Sequence, residues 1–301
     1  MLAKLLRILI TSQLLLGAGL GLGLARWQGW PLWTAVIGAL ALPFATMVLV
    51  DTYSAIVSRG KEPWGKWVQS LLGEYRAGFI VFLFRQPWAT SPPSLQPATN
   101  TQKRIPVVLV HGYMCNHRIW DDVADDLRAQ GHDVFAVDLE PLFASIDDYA
   151  PTIESAVQAL TMHSGQQRVA VVGHSMGGLA TRAWLRVHGA SRVARVITLG
   201  TPHLGTQIRQ HRPTRNGVQM AWGSDWLKQL AAQETDTTRS LFSIAITPQD
   251  NIVYPQRAQV WPDVVPQVFE GLGHVQMCLD PNVIAWVRKE LADLSGKATT
   301  A

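Results

Sequence analysis

The chain has 301 residues, 48% of them hydrophobic and only 16% charged, with twelve tryptophans and a net charge of +4. That is enough for one large domain or two small ones, and apolar for a wholly soluble protein. Two cysteines, Cys115 and Cys278, exclude a disulfide framework, and the modest positive charge suits an anionic membrane surface as well as a nucleic acid, for which there is no motif.

After the basic start MLAKLLR comes ILITSQLLLGAGLGLGLA (8–25), without a charge, and after RWQGWP a second uncharged run, Leu32 to Val50. Each is close to the ~20 residues that cross a bilayer core, so a transmembrane helical hairpin is expected over 8–25 and 32–50. Many of the tryptophans cluster near these runs, where interfacial belts place them. Lys4 and Arg7 precede the first run and Arg59, Lys61 and Lys66 follow the second, with only Arg26 between. The positive-inside rule then puts both ends of the hairpin, and the domain that follows, on the cytoplasmic side of the inner membrane. The rival is a secretory signal peptide cleaved near Gly23-Leu24-Ala25, which would export the rest. Secretion of a soluble domain would further require the second run to be a buried core helix.

Residues 67–84, WVQSLLGEYRAGFIVFLF, place Trp67, Leu71, Tyr75, Phe79 and Phe82 at helical spacing on one side, while Glu74 and Arg76 break up the other. This fits an interfacial helix lying on the membrane or a helix packed on the core of the following domain. TSPPSLQPATNTQK (90–103) reads as a linker, dividing a membrane-anchoring region (1–89) from a domain over 104–295.

From there the pattern is βαβα. Strands are expected at 105–110, 132–140, 169–172, 192–203, 240–247 and 266–273, and helices at 117–130, 145–163, 176–188 and 281–291, with an irregular insertion over 204–238. Strands alternating with helices give an α/β class, a mostly parallel sheet of about six strands with helices on both faces. Ligand chemistry in such a sheet belongs at the carboxyl ends of the strands.

The stretch QRVAVVGHSMGGLA (167–180) holds Gly173-His174-Ser175-Met176-Gly177, the G-x-S-x-G pattern of a nucleophile elbow. The sharp strand-to-helix turn forces backbones together and leaves no room for Cβ atoms, hence its glycines. Such a serine needs a base and an orienting acid. His274 follows the last strand and precedes the terminal helix; Asp250 follows the strand 240–247 in TPQDNIV. Asp263 and Asp280 are the rival acids, Asp280 being placed to cap the final helix. Oxyanion donors are expected from the backbone N–H of Met176, next to the nucleophile, and of Tyr113, in the loop HGYMCNH after the first strand. His111 reads as structural in that loop, and His174 as packed beside the serine.

With HGYMCNH, GHSMGG, LGTPHLGT and GLGH in this order, the region 104–295 resembles the bacterial triacylglycerol lipase and esterase family of α/β-hydrolases. The resemblance implies an α/β-hydrolase fold with a lid insertion over 204–238. It also implies catalytic residues Ser175, Asp250 and His274, backbone donors Tyr113 and Met176, and hydrolysis of carboxylic esters of lipid type without metal or cofactor. Unlike the secreted members, this chain carries the hairpin and a short, basic insertion (Arg209, His211, Arg212, Arg215). Beside Trp222 and Trp226, that insertion suits docking on anionic phospholipid or contact with substrate. The expected partners are an apolar ester and a bilayer, not a nucleic acid. Thioesterase or acyltransferase chemistry on the same triad, and a non-catalytic binding protein on the same fold, are the alternatives. Cys115 in the oxyanion loop and Cys278 after His274 both approach the site and would pair only in an oxidising compartment.

Overall fold

The computed structural model describes residues 1–208, 214–262 and 264–297. The two uncharged runs lie inside long helices, α1 (Leu2–Gln28) and α2 (Trp33–Ser58). They pack side by side, and a Cβ on Gly17 would sit 2.2 Å from the carbonyl oxygen of Gly38. Only glycine permits that approach, a pairing typical of helices that meet without a hydrophobic drive between them. Outward they present Leu15, Leu16, Leu20, Val36, Ile37 and Leu40, all exposed. Both helices are long and apolar enough to cross a membrane, and little of either is buried, so the second run is not the core helix of a soluble domain.

The stretch 67–84 packs on the following domain along one side and leaves Val68, Leu72 and Phe84 exposed on another. α3 (Trp64–Gly78) buries Trp67, Ser70, Glu74 and Ala77, and its π-helical continuation Phe79–Arg85 buries Val81. The stretch 90–103 is bound rather than free. Its residues Leu95–Gln96 form β1, antiparallel to the third strand, and Ala98 N–H donates to Asp133 Oδ1 at 2.9 Å. Its proline-rich composition excludes a helix but not edge pairing, and an open sheet edge gains from being covered.

Among the described residues the sheet therefore has seven strands rather than about six, in the order β1-β3-β2-β4-β5-β6-β7. They are β2 (Val107–Val110), β3 (Val134–Ala136), β4 (Val169–His174), β5 (Val193–Leu199), β6 (Phe242–Ile246) and β7 (Gln267–Val268), all parallel. β3 and β7 are shorter than the runs 132–140 and 266–273 expected for them.

Alternate strand residues face opposite ways. Val108, Val110, Val169, Val171 and Val196 pack on α5 (Ala150–Ser164) and α6 (Met176–His188). Val107, Leu109, Ala170, Val172 and Ile197 pack on α4 (Asp121–Ala129), α10 (Pro281–Lys297) and Val81. Where an irregular insertion is expected, its described residues form three short helices: α7 (Arg215–Gln219), α8 (Asp225–Ala232) and α9 (Asp236–Arg239). Each is capped by a hydroxyl, of Thr214, Ser224 and Thr235 respectively. Of the basic residues read there, Arg209, His211 and Arg212 lie outside the described residues, as does the rival acid Asp263.

Candidate active site

β4, at the middle of the sheet, ends in the elbow. Ser175 holds φ 55° and ψ −127°, a left-handed backbone that a non-glycine residue adopts only under constraint. Its N–H donates to the Leu199 carbonyl at 2.9 Å, which ties the turn to β5. Gly177 is required here, since a Cβ would lie 2.1 Å from the Val110 carbonyl oxygen. On the other side a Cβ on Gly112 would lie 2.7 Å from Ser175 Cβ, so the HGY loop runs directly against the serine. Met176 opens α6, and N–H groups in the first turn of a helix have no intrahelical acceptor.

Asp250 and His274, both buried, leave the ends of β6 and β7. His274 Nδ1–H donates to Asp250 Oδ2 at 2.7 Å, while Asp250 Oδ1 accepts from the N–H groups of Ile252 (2.8 Å) and Val253 (2.7 Å). The carboxylate is thus held on one oxygen and committed to the imidazole on the other. Asn251 Oδ1 accepts from the His274 N–H at 3.1 Å. Ser175 and His274 line the same cavity of about 520 Å³. The rival acid Asp280 does what its position implied: its Oδ1 accepts from Asn282 N–H at 2.9 Å at the start of α10.

The cavity also holds a group that the sequence pattern does not single out. Glu74, buried on α3, accepts from Val275 N–H through Oε1 (2.9 Å) and from Gln276 N–H through Oε2 (2.9 Å), capping the turn that follows His274. Burial pushes its carboxyl up, against these two N–H bonds and the facing His274, while Asp250 pushes it further up. Burial works to lower the His274 imidazole, but the adjoining Asp250 and then Glu74 outweigh it and leave the ring above its ordinary value. His174 lies 4.6 Å from His274, ring to ring, and its Nε2–H donates to the His274 carbonyl at 3.1 Å. Burial, reinforced by His274, lowers it far below the ordinary value, so it stays neutral and packs as expected. In its loop, His111 accepts from Leu139 N–H through Nε2 at 2.9 Å, a structural role.

The remaining sequence candidates divide. Tyr113 lines the cavity and its ring tilts onto Phe143, with centroids 5.8 Å apart. Trp222 faces an adjoining cavity beside Tyr53 and Val57 of α2. Trp226 Nε1–H instead donates to Asp147 Oδ2 at 2.9 Å and its ring packs on the core. Neither tryptophan lines the cavity over Ser175. Cys115 and Cys278 are free and buried, Cys115 pushed up to about 12 by burial and Cys278 well above its ordinary value by burial and then by Cys115. Among the described residues no group of three or more His, Cys, Asp or Glu is arranged to hold a metal ion.

In the GTPH segment, His203 bonds Thr198 Oγ1 through Nε2 at 3.0 Å, and its carbonyl accepts from Arg182 Nη1 at 2.9 Å. Arg182, buried on α6, also pairs with Glu234 through Nε (2.5 Å) and Nη2 (3.0 Å). One guanidinium therefore fastens the elbow helix to both the GTPH turn and the insertion.

Residues 105–250 match the family described as alpha/beta hydrolase fold. Among curated proteins, a triacylglycerol lipase of Burkholderia plantarii is 30% identical over 129 residues, 40% of this chain and 36% of that protein. A triacylglycerol lipase of Pseudarthrobacter phenanthrenivorans is 30% identical over 119 residues, 36% of this chain and 37% of that protein. The matched stretch thus spans little more than a third of either relative. The mature lipase BlEst2 of Bacillus licheniformis superposes with a TM-score of 0.56 at 18% identity, over 67% of this chain and 98% of that one. Lipase B of Aspergillus fumigatus gives 0.53 at 16% identity, over 64% and 54%. The fold is the α/β-hydrolase fold, and the similarity to bacterial triacylglycerol lipases read from the motifs is present in the aligned sequences.

Proposed function

We propose that this chain, α/β-hydrolase in fold and related to bacterial triacylglycerol lipases, is a membrane-anchored serine carboxylic ester hydrolase for acyl esters of lipid type. The observation that carries the reading is the 2.7 Å bond from His274 Nδ1 to Asp250 Oδ2, in the cavity where the elbow presents Ser175. Asp250 fixes the tautomer, so Nε2 is the basic nitrogen; it takes the Ser175 proton as Oγ attacks the ester carbonyl. The backbone N–H groups of Met176 and Tyr113 receive the oxyanion. Collapse breaks the bond to the alkoxy oxygen, which leaves with the proton from His274, and the acyl group stays on Ser175. Water, deprotonated by His274, then releases the acid and restores the serine.

The hairpin α1–α2 supports residence in a membrane, and the basic residues at both its ends favour the inner membrane with the catalytic domain in the cytoplasm. A fluorophosphonate probe tests the chemistry. The wild type is expected to label and Ser175→Ala not to; an unlabelled wild type, or equal labelling of both, overturns the reading. Parallel assays with p-nitrophenyl esters, acyl-CoA and an added alcohol acceptor separate ester hydrolysis from thioester cleavage and acyl transfer.

A further inference from the structure

The hairpin is rooted on the rim of the catalytic cavity from two sides. At the start of α1, Leu2 and Leu6 are buried against Leu142, with Met114 and Phe82 packed on the same cluster. Met114 and Phe82 are also walls of the cavity over Ser175. At the end of α2, Ser54 Oγ donates to the Asn251 carbonyl at 2.6 Å, and Gln256 Nε2–H donates to the Ser58 carbonyl at 3.0 Å. Val50 and Asp51, one turn earlier, form part of the cavity wall beside Ile252 and Val253.

The lengths fix where that wall lies. α2 has 26 residues, ~39 Å at 1.5 Å per residue, whereas a hydrocarbon core is ~30 Å thick. The charge-free run of α2 ends at Val50, and the surplus, 51–58, is the part that packs on the catalytic domain. Val50 is 64% exposed and continues the apolar outer face of the helix while also lining the cavity. Through Val50 the cavity therefore reaches the level at which the charge-free run stops.

Resting on the proposed hydrolase reading, we infer that the substrate is a bilayer-resident ester lipid, which reaches Ser175 sideways from the membrane between the rooted ends of α1 and α2. Val50, Ile252, Val253 and Phe82 give its acyl chain an apolar wall to follow from the bilayer, beside the polar groups Asp51 and Glu74. A soluble ester would gain nothing from a mouth built at that level.

The test uses the full chain in proteoliposomes with a pyrene-labelled diacylglycerol too apolar to exchange between vesicles. It is placed either in the protein's own bilayer or in protein-free vesicles added to it, with p-nitrophenyl butyrate as a soluble reference. Hydrolysis at least tenfold faster in the shared bilayer is the expected result. Equal rates from both placements, or cleavage of the butyrate alone, overturn the route while leaving the hydrolase reading standing. Failure to cleave either ester, together with no fluorophosphonate labelling, removes both. In the shared bilayer, Val50→Arg is expected to lower the ratio of diacylglycerol to butyrate hydrolysis at least fivefold, and an unchanged ratio counts against the route.

Discussion

Glu74 and His274 stand 200 positions apart, yet both carboxylate oxygens of Glu74 accept the N–H groups of the two residues that follow His274. The helix that carries Glu74 belongs to the segment joining the hairpin to the sheet, so the turn after His274 is held in part by a residue from outside the sheet domain. Only the neutral imidazole acts as a base. Because Asp250 and Glu74 leave His274 above its ordinary value, the acidic limb of kcat/KM is expected above the usual ~6.5 of imidazole. Activity is lost as pH falls through that value and the ring takes up its proton. Glu74→Gln removes one source of the rise and is expected to move the limb down. A pH–rate profile on a soluble ester checks it, and an unmoved limb would assign Glu74 to capping alone.

Capping has its own signature. In Glu74→Gln one of the two N–H donors meets an amide NH₂ in place of an acceptor, and a buried donor left unpaired costs about 1–3 kcal/mol. A lower melting temperature is expected in Glu74→Gln and a larger drop in Glu74→Ala, read by thermal unfolding in nanodiscs.

Asp250→Asn keeps the volume of the side chain and the two N–H bonds to Oδ1, but the amide NH₂ facing Nδ1 selects the wrong imidazole tautomer. A fall in kcat of about 10⁴-fold with little change in melting temperature is expected. A fall below tenfold would show that another acid orients His274.

Arg182 and Glu234 form a buried pair that joins the elbow helix to the insertion. Among the described residues, Arg182→Met leaves Glu234 with Arg239, 3.7 Å away. A loss of about 3 kcal/mol is expected, the lower end for a broken buried pair. The double variant Arg182→Met, Glu234→Gln should recover part of it, because no charge is then stranded. Denaturant melts of the two variants make the comparison.

Gly177→Ala puts a methyl group 2.1 Å from a backbone oxygen of β2, and neither partner is a flexible side chain. A loss of about 1–3 kcal/mol is expected from such overpacking. Fluorophosphonate labelling should slow as well, since the displaced turn is the one that presents Ser175.

Local physics made most of the candidate site's geometry legible. The elbow is a five-residue backbone problem, and its glycines, its preceding β-strand and its small-residue helix start all sit within one stretch of chain. Asp250 and His274 were readable because parallel strands deliver their chemistry at one end, so a polar residue just after a strand falls near the serine. The uncharged runs likewise announced their length and their flanking charges. Glu74 was not legible, because a single acid in an apolar helix reads as the polar side of that helix until one knows what packs there. β1 was hidden for a related reason, since edge pairing depends on the neighbouring strand more than on its own composition. Trp226 lies in the insertion, and which partner its indole N–H takes, Asp147, was decided by packing.

By itself, then, the amino-acid order determined what is short-range: the turn that lifts Ser175, the alternation of strands and helices, and two spans of bilayer length. Tertiary structure alone decided which distant groups share the cavity, bringing Glu74 under His274 and the end of α2 to its mouth. Those relationships are set by the packing of helices on a sheet edge and rim, where burial and unpaired N–H groups select partners irrespective of their separation along the chain.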